Sequence, residues 1–482
     1  MQNYSYQLPQ APWIKDSATE TSEPRIGQIA LYMVAHAVLA LLMSQFEILS
    51  TIHALGAFAV GLYILSQEDS QENLIYLVGY MAASEVVWRA TGANVFWEFG
   101  KYAISALLLL GIFKERRLGT VSKWPFVYFL MLTPAIVLLP YFDRQLLSFY
   151  LSGPFTLAVA ATYFSGLKLT LHQTQYLLLI MLGPIVGMAV LASSNVISAG
   201  GVVGKKGGSG GFGPNQVSSI FGLGMVCAFY VAMLIKDQRI LRIGMILTTI
   251  WMAGQAALTG SRGGFWTGVG AIVIATLFLL QDRRTRGIFL TGAVITVMLL
   301  LYFVFPALDS ITGGFTGQRF QDFDLTGRDD IMRVEWSIFL DNPLMGVGVG
   351  QSELYYDDLS FASDASHTEY TRMLAEHGSF GVLALLIMLL IATSSVLKNQ
   401  QAVSRAFAAS AATYALLFIF HAATRLAAPS FLFGLAAIEV FRESEIFKSE
   451  IAEPAPHDAE QVESRALPST RRRQQMERAT NE

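Results

Sequence analysis

Charged residues are scarce in this chain: they make up 14% of its 482 residues, whereas 53% are hydrophobic. Soluble domains carry about 25% charged residues, so this composition excludes an ordinary soluble domain and indicates an integral membrane protein. The formal net charge of −3 gives no indication of a nucleic-acid partner. The single cysteine, Cys227, lies within an apolar run, and one cysteine excludes a disulfide within the chain.

Long apolar runs fill most of the sequence. A bilayer core of roughly 30 Å needs about 20 apolar residues per helix. Fourteen segments meet this length approximately, and we expect twelve to fourteen transmembrane helices. The predicted spans are 26–44, 51–67, 74–92, 97–113, 125–142, 146–166, 174–193, 216–235, 241–259, 264–280, 287–305, 379–397, 405–422 and 427–441. The sequence therefore predicts an all-α polytopic membrane protein.

Basic residues indicate the orientation of these spans. They collect in short loops such as 114–123, 236–242 and 282–286, and loops rich in Lys and Arg stay in the cytosol. We therefore expect both termini to be cytosolic. The predicted organisation is a cytosolic tail (1–25), a transmembrane bundle (26–305), a long outer loop with amphipathic helices (306–377), C-terminal transmembrane helices (378–442) and a disordered cytosolic tail (443–482).

Several cations are expected at the outer ends of spans. Arg262 lies in the sequence SRGG between two spans, and an arginine there either anchors the helix at the headgroups or binds phosphate oxygens with its planar fork. We expect the flanking glycines to let a ligand approach the backbone, which favours a phosphate site. Arg89 follows Glu85 by four residues, so an ion pair between them is the alternative to a binding role. Lys101 and Arg425 are predicted at the same outer level.

The long loop contains a predicted amphipathic helix that follows Thr326 and ends before Pro343. Arg328 falls at the start of this helix, with Asp329 and Asp330 beside it. An ion pair with one of these aspartates is one interpretation of Arg328. The other is an anion site that also uses the helix N-terminus. The following run GVGVG (346–350) is interpreted as a tight turn.

A second helix start is predicted at the end of the loop. Ser366 with Glu369 matches a capping box, and the helix should continue into the span at 379–397. His367 would then lie in the first turn, where the helix dipole disfavours its charged form. A neutral imidazole beside a hydroxyl can act as a general base; the alternative is a capping or packing histidine. For His377 we expect a packing role.

Three stretches in this order, SRGG (261–264), NPLMGVGVG (342–350) and HTEYTRMLAEHGSFG (367–381), resemble the O-antigen ligase and O-antigen polymerase superfamily. These are bacterial polytopic glycosyltransferases of the C-type membrane fold with a long periplasmic loop. The resemblance implies inverting, metal-independent transfer of a glycan from undecaprenyl pyrophosphate to a sugar hydroxyl at the periplasmic face of the inner membrane. It implies that Arg262 and Arg328 bind phosphate and that His367 is the base. No cofactor or metal is expected.

The partners implied are an undecaprenyl-pyrophosphate-linked glycan donor, a glycan or lipid A core acceptor, and membrane lipids. The sequence does not separate a ligase from a polymerase. A protein O-oligosaccharyltransferase of the same superfamily is an alternative, and a small-anion or solute transporter is another. Transporters bind near the bilayer midplane, whereas the ionisable groups here are predicted at the outer end. The further residues predicted to bind substrate are Arg89, Lys101, Asn215, Glu369, Tyr370, Arg372 and Arg425.

Overall fold

The computed structural model describes residues 26–198, 208–235, 238–280, 286–287, 291, 294, 298–321, 328–356, 368–399 and 401–441. The helices are α1 (Ile26–Gln45), α2 (Glu47–Ser66), α3 (Gln71–Ala90), α4 (Phe99–Lys114), α5 (Trp124–Leu132), α6 (Arg144–Phe164), α7 (Leu171–Ser198), α8 (Pro214–Leu234), α9 (Arg239–Leu258), α10 (Arg262–Leu279), α11 (Phe305–Ile311), α12 (Phe315–Gln321), α13 (Arg328–Asp341), α14 (Glu369–Lys398), α15 (Ala402–Ala422) and α16 (Ala427–Leu435). Within the described ranges there are also two short strands, β1 (Lys168–Thr170) and β2 (Glu439–Phe441).

Nine of the helices within the described ranges are long and apolar enough to cross a membrane: α1, α2, α6, α7, α8, α9, α10, α14 and α15. This confirms a helical polytopic membrane protein, although it does not confirm a count of fourteen. The helix α3 is 20 residues long but more polar, and α4 and α5 are shorter. Eight of the 19 residues of the predicted span 287–305 lie outside the described residues.

Two predicted spans differ from the observed elements. The prediction of one helix over 125–142 is wrong, because α5 ends at Leu132 and Pro134 opens a 3-10 turn. The prediction of one helix over 427–441 is also wrong, since α16 has 9 residues and β2 follows it. The strand β2 pairs in parallel with β1 over three residues, and the structure remains consistent with the all-α prediction. Short apolar runs do not distinguish a strand from a helix, and this one holds β-branched and aromatic residues that favour a strand.

The bundle is held together by close helix packing at small residues. The helices α6, α7 and α8 are mostly buried, whereas α1 and α2 expose most of their apolar side chains as lipid-facing helices do. Gly264 of α10 lies directly against the backbone of Ser218 in α8, and Gly268 lies against Gly222. In membranes such small residues let two helices approach until their backbones touch.

We predict that Gly264→Ala destabilises the protein while Gly244→Ala does not. A Cβ at position 264 would overlap the Ser218 backbone, whereas position 244 on α9 has open space around it. Overpacking of this kind costs about 1–3 kcal/mol. Thermal unfolding of the detergent-purified variants measures the difference, and equal melting temperatures would contradict the α8–α10 packing.

Candidate active site

One end of the helical bundle holds buried ionised side chains from three helices. Glu85 and Arg89 lie in the last turns of α3, and Glu98 and Lys101 lie at the start of α4. The third group lies in the first turns of α14 and is described below. All of these side chains are almost completely shielded from solvent. Charged groups inside a membrane protein are expensive unless they are paired.

The first ion network joins α3 to α4. Arg89 Nη2 is 2.6 Å from Glu85 Oε1 and 3.8 Å from Glu98 Oε2, and Glu98 also pairs with Lys101. The Arg89 guanidinium lies over the ring of Trp97, 4.6 Å from its centroid. The expected pairing of Arg89 with Glu85 is therefore present in the structure. Its charge is shared among carboxylates of the protein.

The second ion network belongs to α14. Arg372 pairs with Glu369 and with Glu376, whose Oε2 is 2.9 Å from Arg372 Nη1, and it lies over the ring of Tyr150. Glu376 also accepts a hydrogen bond from Ser352 at 2.9 Å. Arg372 therefore lies between two carboxylates of its own helix, one of which reaches the segment after GVGVG.

Both networks meet at the turn between α15 and α16. The backbone N–H of Thr424 donates to Glu369 Oε2 at 3.2 Å, and Lys101 Nζ donates to the carbonyl of Thr424 at 3.2 Å. The N–H of Ala427, the first residue of α16, donates to Glu85 Oε2 at 2.6 Å. Buried charges from α3, α4 and α14 therefore fix the backbone of a single turn.

Arg262 begins α10 at the same end of the bundle. The hydroxyl of its neighbour Ser261 donates to Asn215 Oδ1 at 2.7 Å instead of capping the helix. Asn215 in turn precedes Gln216, which accepts a hydrogen bond from Arg89 at 3.4 Å. The first turn of α10 thus has no side-chain cap, and such a helix N-terminus favours an anion.

The glycines after Arg262 lie in close contact with neighbouring helices. A Cβ at Gly263 would overlap the imidazole of His421, and one at Gly264 would overlap the Ser218 backbone. That these glycines also let a ligand approach the backbone stays a prediction. They are small because α10 packs tightly against α8 and α15.

His421 is a site residue that the sequence reasoning missed. It is buried in the last turn of α15, and its Nε2 is 3.4 Å from the Oγ of Ser219. The Ser219 hydroxyl donates to the Asn215 carbonyl at 2.6 Å, so Nε2 carries the proton that it donates to Ser219. The only sequence signal was a histidine four residues before Arg425 at the end of a span.

The capping-box prediction at Ser366 and Glu369 is wrong. The N-cap of α14 is Thr368, whose side chain accepts a hydrogen bond from the Tyr370 N–H. The Glu369 side chain is used by the ion network described above. The helix begins at Glu369. Both Ser366 and His367 lie outside the described residues.

Arg328 is the first residue of α13, as the sequence predicted. Its side chain and the predicted cap Thr326 lie outside what the structure describes. Asp329 and Asp330 fall in the first turn of the helix, and each forms an ion pair with Arg333, at 3.5 Å and 3.3 Å. These aspartates thus have a cationic partner one turn along the helix.

The helix α13 packs on α14 through an apolar face with one carboxylate in it. Ile331 and Ile338 are buried, and so is Glu335 between them. Glu335 accepts hydrogen bonds from Tyr356 at 2.7 Å and from Thr371. Burial and this carboxylate raise the pKa of Tyr356 above its ordinary value.

Two of the motif segments form one structural unit. Gly378 (φ 57°, ψ −132°) interrupts the helical path of α14. The carbonyls of Ala375 and Glu376 then accept hydrogen bonds from Val347 at 3.0 Å and Gly348 at 3.1 Å. The GVGVG segment has three glycines at positive φ, in agreement with a tight turn. The backbone N–H groups of this turn therefore donate hydrogen bonds to two carbonyls of α14 that lack helical partners where the helix is interrupted.

Tyr370 is the one described candidate that lies apart from the charges. Its hydroxyl donates to the Leu416 carbonyl at 2.9 Å, and its ring packs near Phe420. It lines an apolar cavity between α14 and α15 with Leu374, Val382, Leu385, Leu386, Met388, Leu389 and Leu416. Four other candidates, Lys101, Glu369, Arg372 and Arg425, line one small cavity, and Arg89 joins them through Glu98. Asn215 and Arg262 are linked to this group through their neighbours, since Gln216 bonds to Arg89 and Gly263 packs on His421.

We predict that Arg372→Met strongly destabilises the protein, because it leaves Glu369 and Glu376 buried without their cation. Breaking a buried ion pair costs about 3–5 kcal/mol. Adding Glu369→Gln and Glu376→Gln should restore much of the loss. Unfolding by denaturant measures both effects, and Arg333→Ala is the control, since its side chain is 75% exposed. An Arg372→Met protein as stable as wild type would contradict the network.

Residues 247–386 match a family model described as O-antigen ligase. The matched region contains Arg262, Arg328, His367, Glu369 and Arg372. No curated protein matches the chain. The family match confirms the resemblance of this part of the chain to the O-antigen ligase and polymerase superfamily.

Proposed function

We propose that the protein transfers a glycan from undecaprenyl pyrophosphate to a sugar hydroxyl, with inversion and without a metal, at the periplasmic face of the bacterial inner membrane. The observation that carries the proposal is the convergence of Arg262, its uncapped helix start and the surrounding ion networks at one end of the bundle. The family match over 247–386 supports the type of reaction. Undecaprenyl pyrophosphate, the periplasmic face and metal independence are parts of the proposal.

The leaving group of this reaction is a diphosphate that gains negative charge as the sugar departs. Arg262 combines a fixed positive charge with the N-terminus of α10, and both favour an anion at the same place. Arg328 is likewise the first residue of its helix, α13. Preorganised cations aimed at developing charge provide one of the largest contributions to catalysis. Two arginines can therefore replace a metal ion in this role.

His367 is proposed as the general base. It would take the proton of the acceptor hydroxyl while that oxygen forms a bond to the anomeric carbon of the donor sugar. The bond from this carbon to the phosphate oxygen breaks on the opposite face, and the electron pair leaves with the diphosphate. The acceptor oxygen thus enters with inversion, and the diphosphate remains attached to the undecaprenyl chain.

The orientation of the protein in the membrane is also part of the proposal. The candidate site lies at the start of α4 and α6, whereas Lys114, Arg117 and Lys168 follow at the other ends of these helices. Basic residues favour the cytosolic side. We therefore assign the site and the loop 306–377 to the periplasm and both tails to the cytosol.

We predict that Arg262→Ala, Arg328→Ala and His367→Ala each lower glycan transfer by about 10²-fold or more, as expected for lost charge stabilisation or lost base catalysis. Transfer is measured with purified full-length protein in nanodiscs, using a lipid-linked glycan donor. Arg333→Ala is the matched control, because Arg333 is an exposed arginine on the same helix as Arg328. Wild-type transfer by the Arg262 and His367 variants would refute the proposed site.

The acceptor is identified by deleting the gene and separating the surface glycans on a gel. A polymerase predicts loss of long chains with single repeats retained. A ligase predicts loss of all polymer from the lipid, with lipid-linked polymer accumulating. Unchanged surface glycans would contradict both forms of the proposal.

A further inference from the structure

The turn 423–426 between α15 and α16 has an unusual backbone. Ala423 adopts φ 51° and ψ −157°, a region that is essentially restricted to glycine and costs about 1–3 kcal/mol for other residues. Arg116 is the other non-glycine residue with positive φ in the described part of the chain, but its ψ of 34° is an ordinary left-handed turn. The strain at Ala423 persists only because its surroundings impose it.

Those surroundings are the buried charges described above. Lys101, Glu369 and Glu85 each bond to the backbone of this turn or of the residue that follows it. On a fourth side, Gly153 of α6 leaves no space for a Cβ beside Thr424. A connection between two helices does not require three buried charged side chains, since each charged group loses its hydration when it is buried. These hydrogen bonds therefore fix the backbone path of the turn more tightly than a connection between two helices requires.

The turn carries one charged side chain. Ala423, Thr424 and Leu426 are buried, whereas Arg425 is half-buried and lines a small cavity. The wall of that cavity also contains Trp97, Glu98, Lys101, Phe149, Tyr150, Glu369 and Arg372. Its two carboxylates are both paired, Glu98 with Lys101 and Glu369 with Arg372. Arg425 is therefore the charged side chain that the strained turn places at this cavity.

The last turn of α15, which leads into this turn, lies beside the start of α10. His421 is four residues before Arg425, and its imidazole lies directly against Gly263. Gly263 is the neighbour of Arg262. The path of the turn thus sets the position of Arg425 relative to the arginine that is proposed to bind phosphate.

We infer that the turn 423–426 is rigid and holds Arg425 in position to bind the diphosphate of the lipid-linked donor. Glu85, Lys101 and Glu369 are its positioning residues. A guanidinium that is held in place can fork onto two phosphate oxygens, and this geometry is lost when the group moves. The inference rests on the proposed function of the Arg262 site. It gives Arg425, which the sequence predicts to bind substrate and which lies outside the family-matched region, a specific role at the diphosphate.

The test uses purified full-length protein in nanodiscs and measures the donor KM, kcat and melting temperature. We expect Ala423→Gly to keep or raise the melting temperature, because glycine relieves the strain, and to raise the donor KM about 10-fold, because the turn gains freedom. Arg425→Ala should raise the donor KM at least as much, and Arg425→Lys should recover only part of the loss. Arg116→Gly is the matched control, since it relieves positive φ away from the site and should leave the donor KM unchanged.

Inorganic pyrophosphate provides a second measurement as a competing anion. Its inhibition constant should rise in the Ala423→Gly and Arg425→Ala variants and stay unchanged in Arg116→Gly. Wild-type donor KM and pyrophosphate inhibition in both site variants, with Arg262→Ala inactive, would overturn this inference and leave the proposed function standing. A fully active Arg262→Ala would instead refute the proposed function, and the inference with it.

Discussion

The structure depends on the pairing of buried charges at one end of a membrane bundle. Glu85, Lys101 and Glu369 come from three different helices and all reach the backbone around Thr424. An unpaired carboxylate or ammonium in such a place would lose its hydration without compensation. The end of each helix is therefore fixed at the position where its charged side chain is paired. This requirement determines the relative positions of these helices.

The pairing of these buried charges connects residues inside the family-matched region with residues outside it. Glu369 and Arg372 lie within the matched residues 247–386, whereas Lys101 and the turn 423–426 lie outside them. Through Glu376 and Ser352 the same network reaches the segment that follows GVGVG. The chemistry that we propose needs cations held still around a diphosphate, and a network of paired buried charges provides such a rigid frame.

Much of the fold could be predicted from the sequence, because apolar length and loop charge act locally. The start of α13 at Arg328, the Glu85–Arg89 pair and the GVGVG turn also depend on neighbouring residues, and they agree with the structure. The use of Glu369 was predicted wrongly, since its partner Thr424 is 55 positions away. The contact between Gly263 and His421, and the bond from Lys101 to Thr424 across 323 positions, depend on the folded bundle and have no local signal.

The most direct test of the account is a cryo-EM structure of the full-length protein in nanodiscs with undecaprenyl pyrophosphate bound. The account predicts diphosphate density within hydrogen-bonding distance of the guanidinium groups of Arg262 and Arg425, at the end of the bundle where the buried charges meet. Diphosphate bound at the opposite end of the helices, or away from Arg262, would contradict it.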